Sequence, residues 1–312
     1  MSRLDRTLLV CPTLNPGDSF DDWLNAYNSQ QEKPAAALII DSSSDDGSIE
    51  DVEKSGFIVN VIDRSQFSHG GTRQQAVADN AGYDYVIFLT QDALLYDRHA
   101  LSVLLSAFED TAVAAVCGRQ LPRHKAGPVE AHARHFSYPD ISNIRSIKDA
   151  KSLGIKAAFM SNSFAAYRRD ALLTIGGFPE DVIFGEDMYV AARLLMAGYK
   201  IAYAADAKVY HSHDYSIVQE MKRYFDMGVF HAREPWIRAS FGVAENAGSR
   251  FVISELNYLA KHAVWRLPEV VLRNIMRYAG FRLGLAERYI PLYFKKKISM
   301  NARYFNNKNC TL

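Results

Sequence analysis

The stretch YVIFLTQD, residues 85–92, is an apolar run that stops at a polar triplet ending in one carboxylate, Asp92. Continuous runs without strict alternation suit strands covered on both faces, as in a parallel sheet flanked by helices. Five more follow the same pattern: TLLVCP (7–12), AAALIID (35–41), FIVNVI (57–62), AVAAVC (112–117) and KIAYAA (200–205). Helical patterns lie between the early ones, at DDWLNAYNSQ (21–30) and TRQQAVADNA (72–81). This alternation predicts an α/β protein with a doubly wound, mostly parallel sheet. Ligands of such sheets sit at the carboxyl ends of the strands. The residues to examine there are Thr13 and Asn15, Asp41 and Ser42, and Gln91 and Asp92.

With 312 residues and 48% hydrophobic content, the chain can bury a full-sized core. The expected organisation is a body over residues 1–248 and a helical, basic extension over 249–312, punctuated by Pro268 and Pro291. The net charge of +1 conceals an asymmetry, because from Arg250 onward twelve Lys or Arg face three Glu, leaving the rest acidic. An acidic body argues against nucleic acid as a partner, and a basic tail suits something anionic. Cys11, Cys117 and Cys310 follow no metal or redox spacing. Free thiols, with an N-terminal apolar run that stops at Pro12, point to a cytoplasmic, reducing setting. No stretch approaches the ~18–20 apolar residues of a membrane span. Residues 119–155 are polar and read as a long surface excursion.

Each candidate residue has a plain reading beside a chemical one. Asp41, followed by SSSDDGS, either caps the next turn or accepts a hydrogen bond from a base or ribose. The two glycines of FSHGGTRQQ (67–75) precede a helix whose backbone N–H groups, with Arg73, could hold phosphate. Asp92 is either a helix cap or a ligand for Mg²⁺ or Mn²⁺. Glu186 and Asp187 open the helix EDMYVAARLLMAG (186–198), where acids suit the dipole, and a carboxylate there could also serve as a general base. His211 and His213 in VYHSHDYS share one face of a strand end and could ligate metal.

In combination and in this order, these elements resemble the inverting family 2 glycosyltransferases with the GT-A fold. The likeness runs from CPTLN (11–15) through IIDSSSDDGS (39–48) and FGEDM (184–188) to His213. It implies that Thr13, Asn15, Asp41, Ser42, Arg73, Gln91, Asp92 and Arg193 bind a nucleotide sugar. It further implies that Asp187 is the base and that Asp92 and His211 hold a divalent cation. Thr90 stands where the family's metal motif has its first Asp. HGGTRQ, TQDA, GRQLP (118–122) and SNSFAAYRR are similar to the bacterial rhamnosyltransferase branch. That branch implies a dTDP-rhamnose donor and a saccharide or undecaprenyl-linked acceptor in cell-surface glycan synthesis. A catalytically weak sugar-nucleotide-binding subunit, or a transferase using another nucleotide sugar, stays open as an alternative.

The extension mixes aromatic and basic residues, among them Trp265, Arg273, Arg277, Tyr278, Arg282, Tyr289, Tyr293 and Lys295 to Lys297. Such a helix suits an anionic membrane surface, which would make the protein peripheral on the inner membrane face. The same pattern also suits packing on the body or on a second copy, as a homo-oligomer.

Overall fold

The computed structural model describes residues 2–49, 52, 55–243 and 247–306; Cys310 lies outside the described residues. The six apolar runs become strands β1 (Thr7–Thr13), β2 (Ala36–Asp41), β3 (Ile58–Val61), β4 (Tyr85–Leu89), β6 (Val113–Leu121) and β9 (Lys200–Tyr210). Three further strands are β5 (Leu94–Leu95), β7 (Asn143–Arg145) and β8 (Phe164–Arg168). The helices are α1 (Ser19–Asn28), α2 (His69–Asp79), α3 (Ala100–Ser106), α4 (Pro128–Ser137), α5 (Ala150–Leu153) and α6 (Arg169–Thr174). They continue as α7 (Glu186–Met196), α8 (Ile217–Arg233), α9 (Pro235–Phe241), α10 (Ala247–His262), α11 (Leu267–Leu285) and α12 (Leu292–Ile298).

The sheet order is β3-β2-β1-β4-β8-β6-β9-β5, with β7 also paired to β9. β1, β2, β3 and β4 run parallel, as do β6 and β9, and antiparallel β8 joins the two groups. Six strands therefore point one way, which makes the sheet mostly parallel. Alternate residues feed opposite cores, so the sheet is wound on both faces. Leu8, Val10, Val86 and Phe88 pack on the side of α2 and α7, while Leu9, Cys11, Ile87 and Leu89 pack with α1 and α3.

Two expectations need correction. The run 57–62 has the pattern of a strand covered on both faces, yet β3 is the sheet edge, with Ile58 52% and Val61 61% exposed. An apolar run alone does not say whether a neighbouring strand exists. Residues 119–155 are likewise no irregular excursion, because they contain α4, β7 and α5. Helix α4 starts with Pro at N1, a favoured position, and buries Val129 with Leu259, Ala263 and Val270 of the C-terminal region.

Helix α8 opens on the Ser216–Gln219 capping box that its sequence predicts. It packs backbone to backbone on α11. A Cβ on Gly284 would lie 2.1 Å from Phe225 O, and one on Gly280 would lie 2.3 Å from Met221 O. Glycine is therefore the side chain that fits at this crossing. Arg273 and Arg277 also correct an expectation. They do not face a membrane: both are buried, Arg277 on Glu220 (2.8 Å) and Glu255 (3.1 Å), and Arg273 on Glu220 (3.1 Å) and Glu269 (2.8 Å). The outward side of α11 carries Leu272, Ile275 and Tyr278 instead. The helix turns these two arginines inward and these three apolar side chains outward.

Gly284→Ala should lower unfolding stability by about 1–3 kcal/mol in urea titration, despite the better helix propensity of alanine. Gly248→Ala, at a helical position with nothing within 4 Å of the added Cβ, should leave stability equal or slightly higher.

Candidate active site

Strand pairing brings Asp92 to the histidines. After β4 the chain turns through Thr90–Ala93 into β5, where Leu94 pairs with Tyr210 and Leu95 with Val209. Continued by two residues, this antiparallel register sets Asp92 opposite Ser212, between His211 and His213. His211 Nε2 lies 3.2 Å from Asp92 Oδ2, and His213 Nε2 lies 3.6 Å from the same oxygen. The three ligand atoms fall within 4.8 Å of one another. Thr90 Oγ1 donates to the other oxygen, Oδ1, at 2.7 Å. The residue that replaces an acid therefore orients the acid that remains.

A fixed amide sets the tautomer of His211. Gln120 Nε2 donates to Ser161 Oγ at 2.9 Å, and Arg134 Nη1 donates to Gln120 Oε1 at 2.9 Å. Gln120 Oε1 is thus an acceptor, so His211 Nδ1, at 2.8 Å, is the donor to it. The neutral ring then aims its Nε2 lone pair at a carboxylate oxygen, and two acceptors so close require a proton or a cation between them. Burial pushes the imidazoles of His211 and His213 down, His213 to about 4, so both are neutral near pH 7. Asp92 is held well below the usual carboxylate range: burial opposes its ionisation, but the Thr90 hydroxyl and positive charge at the imidazoles outweigh it, whether that charge is a proton on His211 or His213 or a cation held in its place. The donor set of one carboxylate and two imidazoles fits a divalent metal.

The facing wall is the start of α7. Gly185, at φ 74°, turns the chain so that Glu186 and Asp187 enter the first helical turn side by side. Glu186 is buried against Arg73 (3.2 Å) and accepts from Asn162 Nδ2 (3.1 Å). Burial alone would raise the Glu186 pKa, but the charge of Arg73 reverses this and the group is lowered. Asp187 moves the other way, pushed up to about 7 by burial and then by the neighbouring Glu186 charge. Two adjacent carboxylates are thereby split into one that stays ionised and one poised to take a proton. Between the walls lies a cleft of about 1030 Å³, counting its open mouth, lined by Asp92, His211, His213, Asp187, Arg223 and Asn301 among others.

Asn301 reaches the cleft in a C-terminal strap. Buried Asp226 on α8 accepts from Ser299 Oγ (2.6 Å), Met300 N (3.0 Å) and Asn301 N and Nδ2 (both 3.1 Å). Arg303 Nη1 then donates to Arg64 O at 3.0 Å, and Phe305 is buried against Phe225.

The remaining candidates divide into two groups. Thr13, Asn15, Asp41, Ser42 and Gln91 gather at the carboxyl ends of β1, β2 and β4. The Asp41 carboxylate accepts from Thr13 Oγ1 (3.0 Å), Ser44 N (2.7 Å) and Ser44 Oγ (2.5 Å), which is its capping role. Asn15 locks onto Asp45 with two hydrogen bonds, and Gln91 bonds both backbone groups of Leu14. Arg73 lies deeper than a phosphate ligand at a helix start would, because its charge is committed to Glu186. Arg193 is on the exposed side of α7, bonded to Ile175 O, and does not line the cleft. Helical spacing from Asp187 does not bring it back to that side. His213 joins the metal candidates, a role that the His-x-His pattern signals. Gln120 and Asn162 fall in GRQLP and SNSFAAYRR, whose one signal is the resemblance, and Arg223 has none, since the contacts of all three join distant elements.

A family model described as glycosyl transferase family 2 matches residues 9–176. The chain is 47% identical over 300 residues to the O-antigen chain rhamnosyltransferase WbaN of Salmonella anatum, covering 96% of this chain and 95% of that protein. It is 45% identical over 303 residues to the O-antigen chain rhamnosyltransferase RfbN of Salmonella typhimurium, covering 96% of each. Among solved structures, the mannosyltransferase PcManGT from Pyrobaculum calidifontis, in complex with GDP-Man and Mn²⁺, superposes with a TM-score of 0.56 at 18% identity, covering 96% of this chain and 85% of that one. S. aureus TarS 1–349 does so at 0.54 and 15% identity, covering 96% and 89%. These two likenesses establish a shared fold.

Titration of the protein with Mn²⁺ should give a dissociation constant about 10- to 100-fold weaker for Gln120→Ala, which removes the orienting contact of His211 and touches none of the three ligand side chains directly at their metal-facing atoms. His213→Ala should also weaken binding, while Arg193→Ala should leave it unchanged. Equal affinity in all three variants would remove the metal from this site.

Proposed function

The chain belongs to glycosyl transferase family 2, and we propose that it transfers L-rhamnose from dTDP-L-rhamnose, with inversion, to a saccharide acceptor in O-antigen-type glycan assembly. The observation that carries the chemistry is Asp187, a half-buried carboxylate with a raised pKa, facing Asp92, His211 and His213 across one cleft. Likeness to two rhamnosyltransferases over nearly the full chain supports the sugar.

In this reading Asp187 accepts the proton of an acceptor hydroxyl as that oxygen attacks the anomeric carbon. The bond from that carbon to the diphosphate breaks on the opposite face, which inverts the centre. Glu186 stays ionised beside Arg73 and keeps the proton affinity of Asp187 high. Asp92, His211 and His213 would hold a divalent cation, with Mn²⁺ favoured over Mg²⁺ by the two imidazoles. Such an ion supplies charge to offset that gathering on the leaving diphosphate. Thr13, Asn15, Asp41, Ser42 and Gln91 shape the nucleoside end at the strand termini.

Residues 1–248 and 249–312 divide the work in this proposal, as a catalytic body and a docking extension. Among the described residues no helix is long and apolar enough to cross a membrane. The outward face of the extension instead shows Trp265 (74% exposed), Tyr278 (64%), Tyr289 (73%) and Tyr293 (61%), interleaved with Arg266, Arg282, Arg288, Lys296 and Lys297. Apolar and aromatic groups ringed by cations match the surface of an anionic bilayer.

Asp187→Asn should reduce transfer from dTDP-rhamnose by ~10²–10⁴-fold, the usual contribution of a general base, with nucleotide affinity nearly intact. The wild-type kcat/KM should fall as pH drops through about 7, where Asp187 takes up its proton. Transfer from a uridine or guanosine diphosphate sugar, with none from the rhamnose donor, would overturn the donor assignment. In flotation with anionic liposomes the protein should rise with the vesicles and release at high salt. A concentration-dependent dimer with no flotation would assign the face to a second copy.

A further inference from the structure

The cleft around Asp187 is polar almost throughout. Among the described residues that line it, only Phe184, Tyr215 and Met300 carry a large apolar side chain. Two of these three are already covered from within the protein. The Arg223 guanidinium lies 4.8 Å from the Phe184 ring centroid and 5.8 Å from that of Tyr215, and the Tyr215 ring also stacks on His213 at 5.0 Å. Met300 differs, being 42% exposed.

Exposure alone says little, because single apolar side chains are common on protein surfaces. What distinguishes Met300 is how firmly its backbone is held. Ser299 Oγ, Met300 N, Asn301 N and Asn301 Nδ2 all donate to Asp226, itself 1% exposed, and Phe305 is buried further along the strap. Four hydrogen bonds over three successive residues thus fix the position of a side chain that takes part in none of them. A methionine held this way places one soft, adaptable apolar spot in the wall of a polar cleft. Its complement is a ligand that is polar over most of its surface and apolar at one small group. A 6-deoxyhexose has this form, with hydroxyls around the ring and a methyl group where the parent hexose carries a hydroxymethyl.

We propose that Met300 determines the choice of sugar, its side chain packing on the 6-methyl group of a deoxyhexose donor. This rests on the transferase reading above and adds the residue that reads the sugar. A hydroxymethyl in the same place would bury its hydroxyl beside a thioether, a weak acceptor, and lose the hydrogen bonds it makes to water. Met300 lies beyond residues 9–176, which the family model matches, so the residue that selects the sugar stands apart from that shared segment.

Calorimetric titration of the full chain in the presence of Mn²⁺ tests this with nucleotide sugars that differ only at C6. The pairs are dTDP-L-rhamnose with dTDP-L-mannose, and GDP-L-fucose with GDP-L-galactose. The wild type should bind dTDP-L-rhamnose about tenfold more tightly than dTDP-L-mannose, in the range that one small group in an apolar contact commands. Met300→Ser should cut that ratio below about threefold, and Met300→Leu should keep most of it, with dTDP affinity within about twofold of wild type in both. The hydrogen bond at this position comes from the backbone nitrogen, so neither substitution removes a contact of the strap. Equal affinity for the two dTDP sugars in the wild type overturns the proposal, as does a ratio unchanged in Met300→Ser. A ratio lost equally in Met300→Leu also overturns it, because the apolar side chain is then not what is read. The GDP pair separates this result from the donor assignment. A Met300-dependent preference for GDP-L-fucose, with neither dTDP sugar bound, would overturn that assignment and uphold the methyl-reading role.

Discussion

Strand β9 holds the site together through its register. It pairs with β6, β7 and β5, and against β6 it jumps from Gly118↔Ala204 to Arg119↔Lys208, leaving three of its own residues unpaired. The jump decides where the last stretch of β9 falls. Ladder hydrogen bonds then carry Tyr210 alongside Leu94, and the two histidines arrive on either side of Asp92. A slip of one residue would turn every side chain to the other face. The separation between carboxylate and imidazoles is thus fixed by backbone pairing, and Gln120 and Thr90 refine the orientation of groups already in place.

The other wall depends on a buried charge pair. Arg73 and Glu186 are both nearly inaccessible, and such pairs contribute little net stability because both ions lose their water. Their effect here is electrostatic. Arg73 keeps Glu186 ionised, and the fixed negative charge discourages a second one on Asp187. A lone carboxylate in the same place would feel burial without that neighbour and would hold its proton less firmly. The two walls therefore differ in kind: one gathers lone pairs of a carboxylate and two imidazoles, and the other raises the proton affinity of a carboxylate.

Much of this was legible in the sequence, within limits set by what periodicity contains. Six continuous apolar runs marked six strands, and the carboxyl-end rule pointed to Thr13, Asp41 and Asp92 before any coordinates. Periodicity shows which residues share a face but not what lies opposite. For that reason β3 read like a covered strand, and Arg273 and Arg277 read as an outward basic stripe when glutamates of α8 and α10 draw them inward. Helix α4 was masked by its polar composition, because its apolar partners lie more than a hundred residues later. The Asp41 cap and the Arg73 pairing follow from contacts with Ser44 and Glu186, and spacing alone does not choose between those roles and ligand binding.

The strap from Ser299 to Phe305 bears on modularity. The sheet and its covering helices are complete by α7 and β9, and a fold comparison would place the end of the core near there. The cleft is not complete at that point. Asp226 draws in Met300 and Asn301 from more than seventy residues away, and those residues form part of the wall around Asp187. The unit that folds around the sheet and the unit that carries the reaction thus have different lengths. Grafting this cleft onto another scaffold would require transferring the C-terminal helices with it, since the strap that follows them ends in the cleft wall.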